Sequence, residues 1–116
     1  MILEDIKNKL EEIDPKVFYG MADELKEGEL WNYIVFNRSL LKPTGNNTGY
    51  SAVYAVHVVR ENFIPEGLET TIIDKMKEIA GVRLAGTDMH YDYTMKPKTN
   101  TVIEIFSVEF VKPVKA

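Results

Sequence analysis

Asp88, His90 and Asp92 are the first residues of this 116-residue chain whose types and spacing suggest chemistry. Residues two apart on a strand share a face and stand roughly 6.5–7 Å apart. A carboxylate, an imidazole and a second carboxylate would then line up as donors for a divalent cation, if the strand bent or other residues joined them. Nothing else in the sequence completes such a ligand set, and the plainer reading is the wet side of an amphipathic strand. His57, the other histidine, sits in a strongly apolar run and reads as a packed or hydrogen-bonded core residue. Ser39, Ser51 and Ser107 are the only serines, and none lies in a Gly-x-Ser-x-Gly elbow. Gly81 to Gly86 contains neither a Walker nor a dinucleotide pattern. Carboxylates are plentiful, but paired acid–base chemistry needs two of them in one cleft with divided pKa values, which a sequence does not display. Arg38, Arg60 and Arg83 are scattered, and Phe18, Tyr19, Trp31, Tyr33, Phe36, Tyr50 and Tyr54 read as sheet packing ahead of base stacking. The expectation is a protein with no catalytic residues, no cofactor and no metal.

The elements that must carry these residues follow from periodicity. Ile2, Ile6, Leu10 and Ile13 recur at helical spacing, with Glu4, Asp5, Lys7, Lys9, Glu11 and Glu12 opposite. Asp14-Pro15 ends that helix, because the residue before a proline is pushed out of the helical region. Val17-Phe18-Tyr19 reads as a short strand stopped by Gly20. Met21 to Leu30 is acidic and tolerates helix but is too short and weakly patterned to define an element. Trp31–Leu41 and Tyr50–Phe63 have strand composition, and residues 42–49 (Lys-Pro-Thr-Gly-Asn-Asn-Thr-Gly) form the polar loop of a long hairpin. Val53-Tyr54-Ala55-Val56 is apolar on both faces, as in a central strand covered above and below.

After Ile64-Pro65-Glu66-Gly67 the apolar positions Leu68, Ile72, Ile73, Met76, Ile79 and Ala80 predict a second helix, capped by Gly81. Thr87 to Met95 alternates, with Met89, Tyr91, Tyr93 and Met95 on one side. Lys96–Asn100 joins it to a last strand, Thr101–Val111, and Lys112–Ala116 reads as a short tail. The order α-β-β-β-α-β-β describes a single α+β domain over 1–116: two helices and an antiparallel sheet of about five strands in two hairpins. Such a sheet has at least one free edge.

Composition narrows the function classes. A chain of 13.3 kDa is expected to expose roughly 6,400 Å² when folded against about 19,300 Å² unfolded, enough burial for a core without staples. It has no cysteine, which removes disulfides, thiolate nucleophiles and zinc ribbons and favours a reducing compartment. The N-terminus lacks the continuous apolar stretch of a signal peptide, and no run of apolar residues is long enough to span a membrane. The expectation is a soluble cytoplasmic domain, in which the glycosylation patterns at Asn37 and Asn46 carry no weight. Eighteen acidic against fourteen basic side chains give a net charge of −4, the reverse of a free-standing duplex binder.

The chain as a whole resembles the small tail-completion and tail-terminator proteins of long-tailed bacteriophages and prophages of Gram-positive hosts, also described as minor capsid, head–tail joining or tail proteins. The likeness lies in Val17-Phe18-Tyr19-Gly20-Met21-Ala22, Trp31-Asn32-Tyr33-Ile34-Val35-Phe36-Asn37-Arg38 and Arg60-Glu61-Asn62-Phe63-Ile64-Pro65. It continues in Tyr91-Asp92-Tyr93-Thr94-Met95-Lys96-Pro97, Thr101-Val102-Ile103-Glu104-Ile105 and Phe110-Val111-Lys112-Pro113. These are packing and turn sequences spanning nearly the whole length. The resemblance implies a structural virion protein, made in the host cytoplasm, that forms a ring, commonly a hexamer, between the major tail protein and the head connector. It implies no sequence-specific nucleic-acid or membrane partner. The segments expected to make assembly contacts are the Lys42–Tyr50 loop (Lys42, Thr44, Asn46, Asn47, Thr48), the acidic stretch (Glu24, Glu27) and the tail (Lys112, Lys115). The alternatives are a small protein–protein interaction module that adds a partner to its sheet edge, or a metal-binding protein using Asp88, His90 and Asp92.

Overall fold

A computed structural model describes residues 1–45 and 49–115. The element order is helix α1 (Ile2–Glu11), strands β1 (Val17–Tyr19), β2 (Tyr33–Pro43) and β3 (Gly49–Glu61), helix α2 (Leu68–Lys77), then strands β4 (Arg83–Leu84), β5 (His90–Met95) and β6 (Val102–Lys115). This is the expected α+β order with one strand more. At two residues, β4 is too short to leave a period in the sequence.

The strands form one sheet in the order β1-β2-β3-β6, with β4 and β5 sharing the far side of β6. Every pairing is antiparallel except β1 with β2, so the sheet is mixed and not purely antiparallel. The reason is the irregular segment 20–32, which carries the chain back to the start of β2. Gly20, at φ +81°, starts that return and donates its N–H to the Phe36 carbonyl at 2.8 Å.

Alternation along the strands gives the sheet two different faces. Ile34 and Phe36 of β2, Val56 and Val58 of β3, and Phe106, Val108 and Phe110 of β6 point to one face. The stripes of both helices close over them through Ile6, Leu10, Ile72 and Met76, all fully buried. Each such side chain contributes roughly 1.5–3 kcal/mol on burial. Val53, Ala55, Val59, Ile103 and Val111 turn the other way, onto a face without helices, yet are also buried. As read from the sequence, β3 is buried continuously from Ala52 to Val56.

Two partly buried tethers tie the irregular parts to this framework. Asp14 pairs with Arg60 at 2.7 Å, both largely excluded from solvent, and Arg60 also donates to the carbonyls of Tyr33 and Val59. Glu61 accepts the Trp31 backbone N–H at 2.7 Å and Lys96 Nζ at 2.9 Å. These bonds hold its carboxyl below the ordinary value of 4.5, the Trp31 bond more than the Lys96 one.

Three local expectations need correction. Gly81 does have left-handed φ, +81°, but α2 ends at Lys77, and the glycine closes a separate turn in which Val82 N–H bonds the Ile79 carbonyl. Lys42 and Pro43 are not loop residues: pairing runs on to Pro43 opposite Tyr50. Lys112–Lys115 is not a tail but the end of β6, paired with Gly49–Ala52. Pro113 is tolerated there because β4 pairs only as far as Val111, and among the described residues no strand pairs the far side of β6 beyond it.

Candidate functional site

The helix-free face carries a polar cluster at its centre. Asn37 of β2, His57 of β3 and Ser107 of β6 are brought together by register, with His57 opposite Ser107. Ser107 Oγ and His57 Nδ1 are 2.7 Å apart, and His57 Nε2 lies 3.1 Å from Asn37 Oδ1. Asn37 donates through Nδ2 to the Arg38 carbonyl, so its Oδ1 accepts, and the imidazole carries its proton on Nε2. Ser107 then donates to Nδ1. Burial pushes His57 below the usual 6.5, aided by His90, while Glu109 and Asp92 pull the other way. The serine–histidine–asparagine connectivity matches a proton relay in form. Ser107 is nonetheless buried, at 7% exposure, and sits mid-strand between two paired neighbours, His57 and His90. We read the cluster as a clasp that satisfies three polar groups across three strands. Residues 37, 57 and 107 are too far apart in sequence for any motif to have announced it.

The residues singled out for metal chemistry do not converge. His90 Nε2 lies 3.4 Å from Asp92 Oδ2, both well exposed, and Asp88 lines a hollow of about 230 Å³ with His57, His90 and Glu109. Among the described residues no group of three or more histidines, aspartates or glutamates could hold a metal ion. His90 and Asp92 stand as a pair, and Asp88, outside β5, does not join them in a set of three.

The two sheet edges are more distinctive. Strand β5 forms one edge, and all six of its residues are exposed. The expected apolar side is therefore uncovered: Tyr93 is 63% exposed, and Met89, Tyr91 and Met95 are comparably open. Tyr91 packs on Phe106 and donates to Glu69 of α2 at 2.5 Å, which raises its hydroxyl to about 12. Tyr93 donates to Glu104 at 2.7 Å. The opposite edge is β1 as far as Phe36, and beyond it β2 itself. Among the described residues no strand pairs the outer side of β2 from Asn37 to Pro43, and Arg38–Pro43 are all exposed. A bulge at Ser39 interrupts the register there.

No protein-family model and no curated protein matches this chain.

The expected assembly contacts separate toward the two ends of the strands. Lys42, Lys112 and Lys115 lie on strands at the β2–β3–β6 end, and Thr44 closes the hairpin, with its N–H and Oγ1 both bonded to the Gly49 carbonyl at 3.0 Å. Lys112 reaches the Ala80 carbonyl at 3.3 Å. Glu24 and Glu27 lie toward the other end, beside the β5–β6 turn, where they line a hollow of about 530 Å³ with Trp31 and Lys96–Thr99. Asn46, Asn47 and Thr48 lie outside the described residues. The basic end also holds Arg38 and Arg83, with Glu109 beside Lys42 and Arg83 and with Asp88 beside Glu109, a local excess of positive charge that the overall −4 conceals.

Proposed function

We propose that the protein is a structural subunit of a long-tailed phage or prophage particle, acting as a ring in tail completion, tail termination or head–tail joining. One observation carries this reading: a single sheet, helices on one face, whose two edges are both open and both lined with exposed side chains. The stretches on which the family likeness rests fall on this sheet and its margins, at β1, the start of β2, the end of β3, β5 and β6. In a closed ring each subunit presents two different surfaces that must match, and open edges supply such surfaces. The partners are further copies of the chain, six in the commonest arrangement, with the major tail protein and head-connector proteins above and below. The protein would be made in the bacterial cytoplasm and end in the virion.

Native mass analysis and electron microscopy at high protein concentration, with and without purified tail tubes, test the reading. Rings, or decoration of tube ends, are expected; a chain that stays monomeric and never attaches to tubes defeats it. An open edge equally suits a module that adds one strand from another protein. Gene neighbourhood separates the two, because portal, capsid and major tail genes alongside belong only to the first.

A further inference from the structure

We infer that β5 is a self-pairing edge: in the free protein it adds antiparallel to β5 of a second copy, so that one sheet runs through both. Backbone geometry comes first. Lys96 donates its N–H to the Thr101 carbonyl at 2.9 Å, so along β5 the even-numbered residues bond to β6 and the odd-numbered ones face away. The N–H and C=O groups of Tyr91, Tyr93 and Met95 therefore point outward, and among the described residues no strand meets them. On the helix-bearing face the same three residues present side chains that are 46%, 63% and 52% exposed. One chain supplies neither the ladder nor the cover; an identical edge supplies both.

Symmetry and the strand's own residues select the register. An antiparallel pair about a two-fold axis normal to the sheet sets one residue opposite itself. Centred on Asp92, it would oppose two carboxylates. Centred on Thr94, it would put Tyr91 opposite Pro97, which has no N–H to give. Axes nearer either end of β5 overlap fewer of its residues. Centred on Tyr93, Tyr91 of each copy faces Met95 of the other, and every outward N–H finds a carbonyl. Asp92 then stands across from Thr94, so no two like charges are opposed between residues 91 and 95. The two Tyr93 rings lie side by side and each Tyr91 ring meets a methionine sulfur, contacts suited to a cross-strand pair.

Among the described residues nothing occupies the place of the added strand. All six residues of β5 are exposed, and the Gly86–Asp88 stretch before it turns over the helix-free face, where it lines hollows with Lys42 and His57. The contact is isologous and closes at two copies, because each edge is used up by its twin. Two tyrosines and one methionine per copy cover less than the roughly 1,200 Å² at which stable specific interfaces begin, so the pair is weak and reversible. That suits an edge to be kept from open-ended aggregation yet released to another partner. The pair needs no tail tubes, so it stands or falls independently of the ring reading.

The chain has no cysteine, so introduced thiols give an unambiguous readout. Asp92 of one copy and Thr94 of the other form a non-hydrogen-bonded pair with Cα atoms about 4.5 Å apart, inside the roughly 4.4–6.8 Å that a disulfide spans. In either variant paired with itself the cysteines are diagonal, about 7–8 Å apart. An equal mixture of Asp92→Cys and Thr94→Cys at millimolar concentration should therefore form mixed disulfide dimers about tenfold faster than either variant alone. Sedimentation velocity of the wild type should show a monomer–dimer equilibrium. Tyr93→Pro, which removes only an outward N–H from the ladders, should leave monomer alone with the circular dichroism of the wild type. Tyr93→Lys opposes two ammonium groups while keeping every backbone group, and should act likewise even if the proline variant misfolds. A mixture that links no faster than the single variants overturns the joint. So does a Tyr93→Lys protein that associates like the wild type, or a wild type that stays monomeric at millimolar concentration.

Discussion

Arg60 shows how much one side chain holds in place. It neutralises Asp14, buried at the end of α1, and caps two strand carbonyls. Arg60→Met should cost about 3–5 kcal/mol, because an unpaired carboxylate is left inside. Urea denaturation with unchanged m-value checks this. Titration should weaken the fold on the acid side in two steps. His57 is held below 6.5, so the unfolded chain takes up a proton there before the folded one does, and stability falls as pH drops below about 6.5. Glu61 is held below 4.5; its contribution is complete above that value and is lost as pH falls further, through the folded-state pKa. Unfolding midpoints across the acid range, with the His57 ring followed by NMR, test both. On the alkaline side, Tyr91 ionises only near 12, against 10.0 for the free group. Stability that it supplies is present below 10 and lost as pH rises through 12. Tyr91→Phe should remove the latest-ionising tyrosine from an ultraviolet titration.

Among the elements, α1 is joined to the sheet by a stripe whose period is plain in the sequence. Leu10→Ala, at a fully buried site, should cost about 2–5 kcal/mol. The end of β6 was less legible. Its lysines and proline look like a solvated tail, but the residues that pair them, Gly49–Ala52, lie sixty or more positions away. Removing residues 112–116 should lower stability and raise hydrogen exchange at Tyr50 and Ala52, whereas trimming a free tail would change neither. β5 was misleading in a different way. Its alternation implies one buried face, yet α2 touches it through the Tyr91–Glu69 hydrogen bond without covering it, and all six residues stay exposed. An amphipathic pattern reports which side chains want cover; it does not report whether this chain supplies that cover.

The whole molecule measures 52 × 26 × 24 Å, with a radius of gyration of 15.3 Å. A compact chain of this length would have about 13.4 Å. It exposes 7312 Å², above the roughly 6,400 Å² expected from mass. The excess reflects the long three-stranded arm of β2, β3 and β6, which extends past the helix-covered core. Solution scattering of the dilute chain should return the larger radius.

Helical stripes, strand alternation, the doubly buried centre of β3 and the turns at Gly20 and residues 96–100 were all legible in the sequence, because each depends on neighbours within a few positions. The absence of cysteine and the −4 charge followed by counting. The parallel β1, the Asp14–Arg60 pair, the clasp of Asn37, His57 and Ser107, and the basic end were not. Each depends on which strands lie side by side, and that is decided by long-range packing of apolar faces across the sheet. Only after that packing is settled do two open edges remain, and they exist in the folded sheet alone.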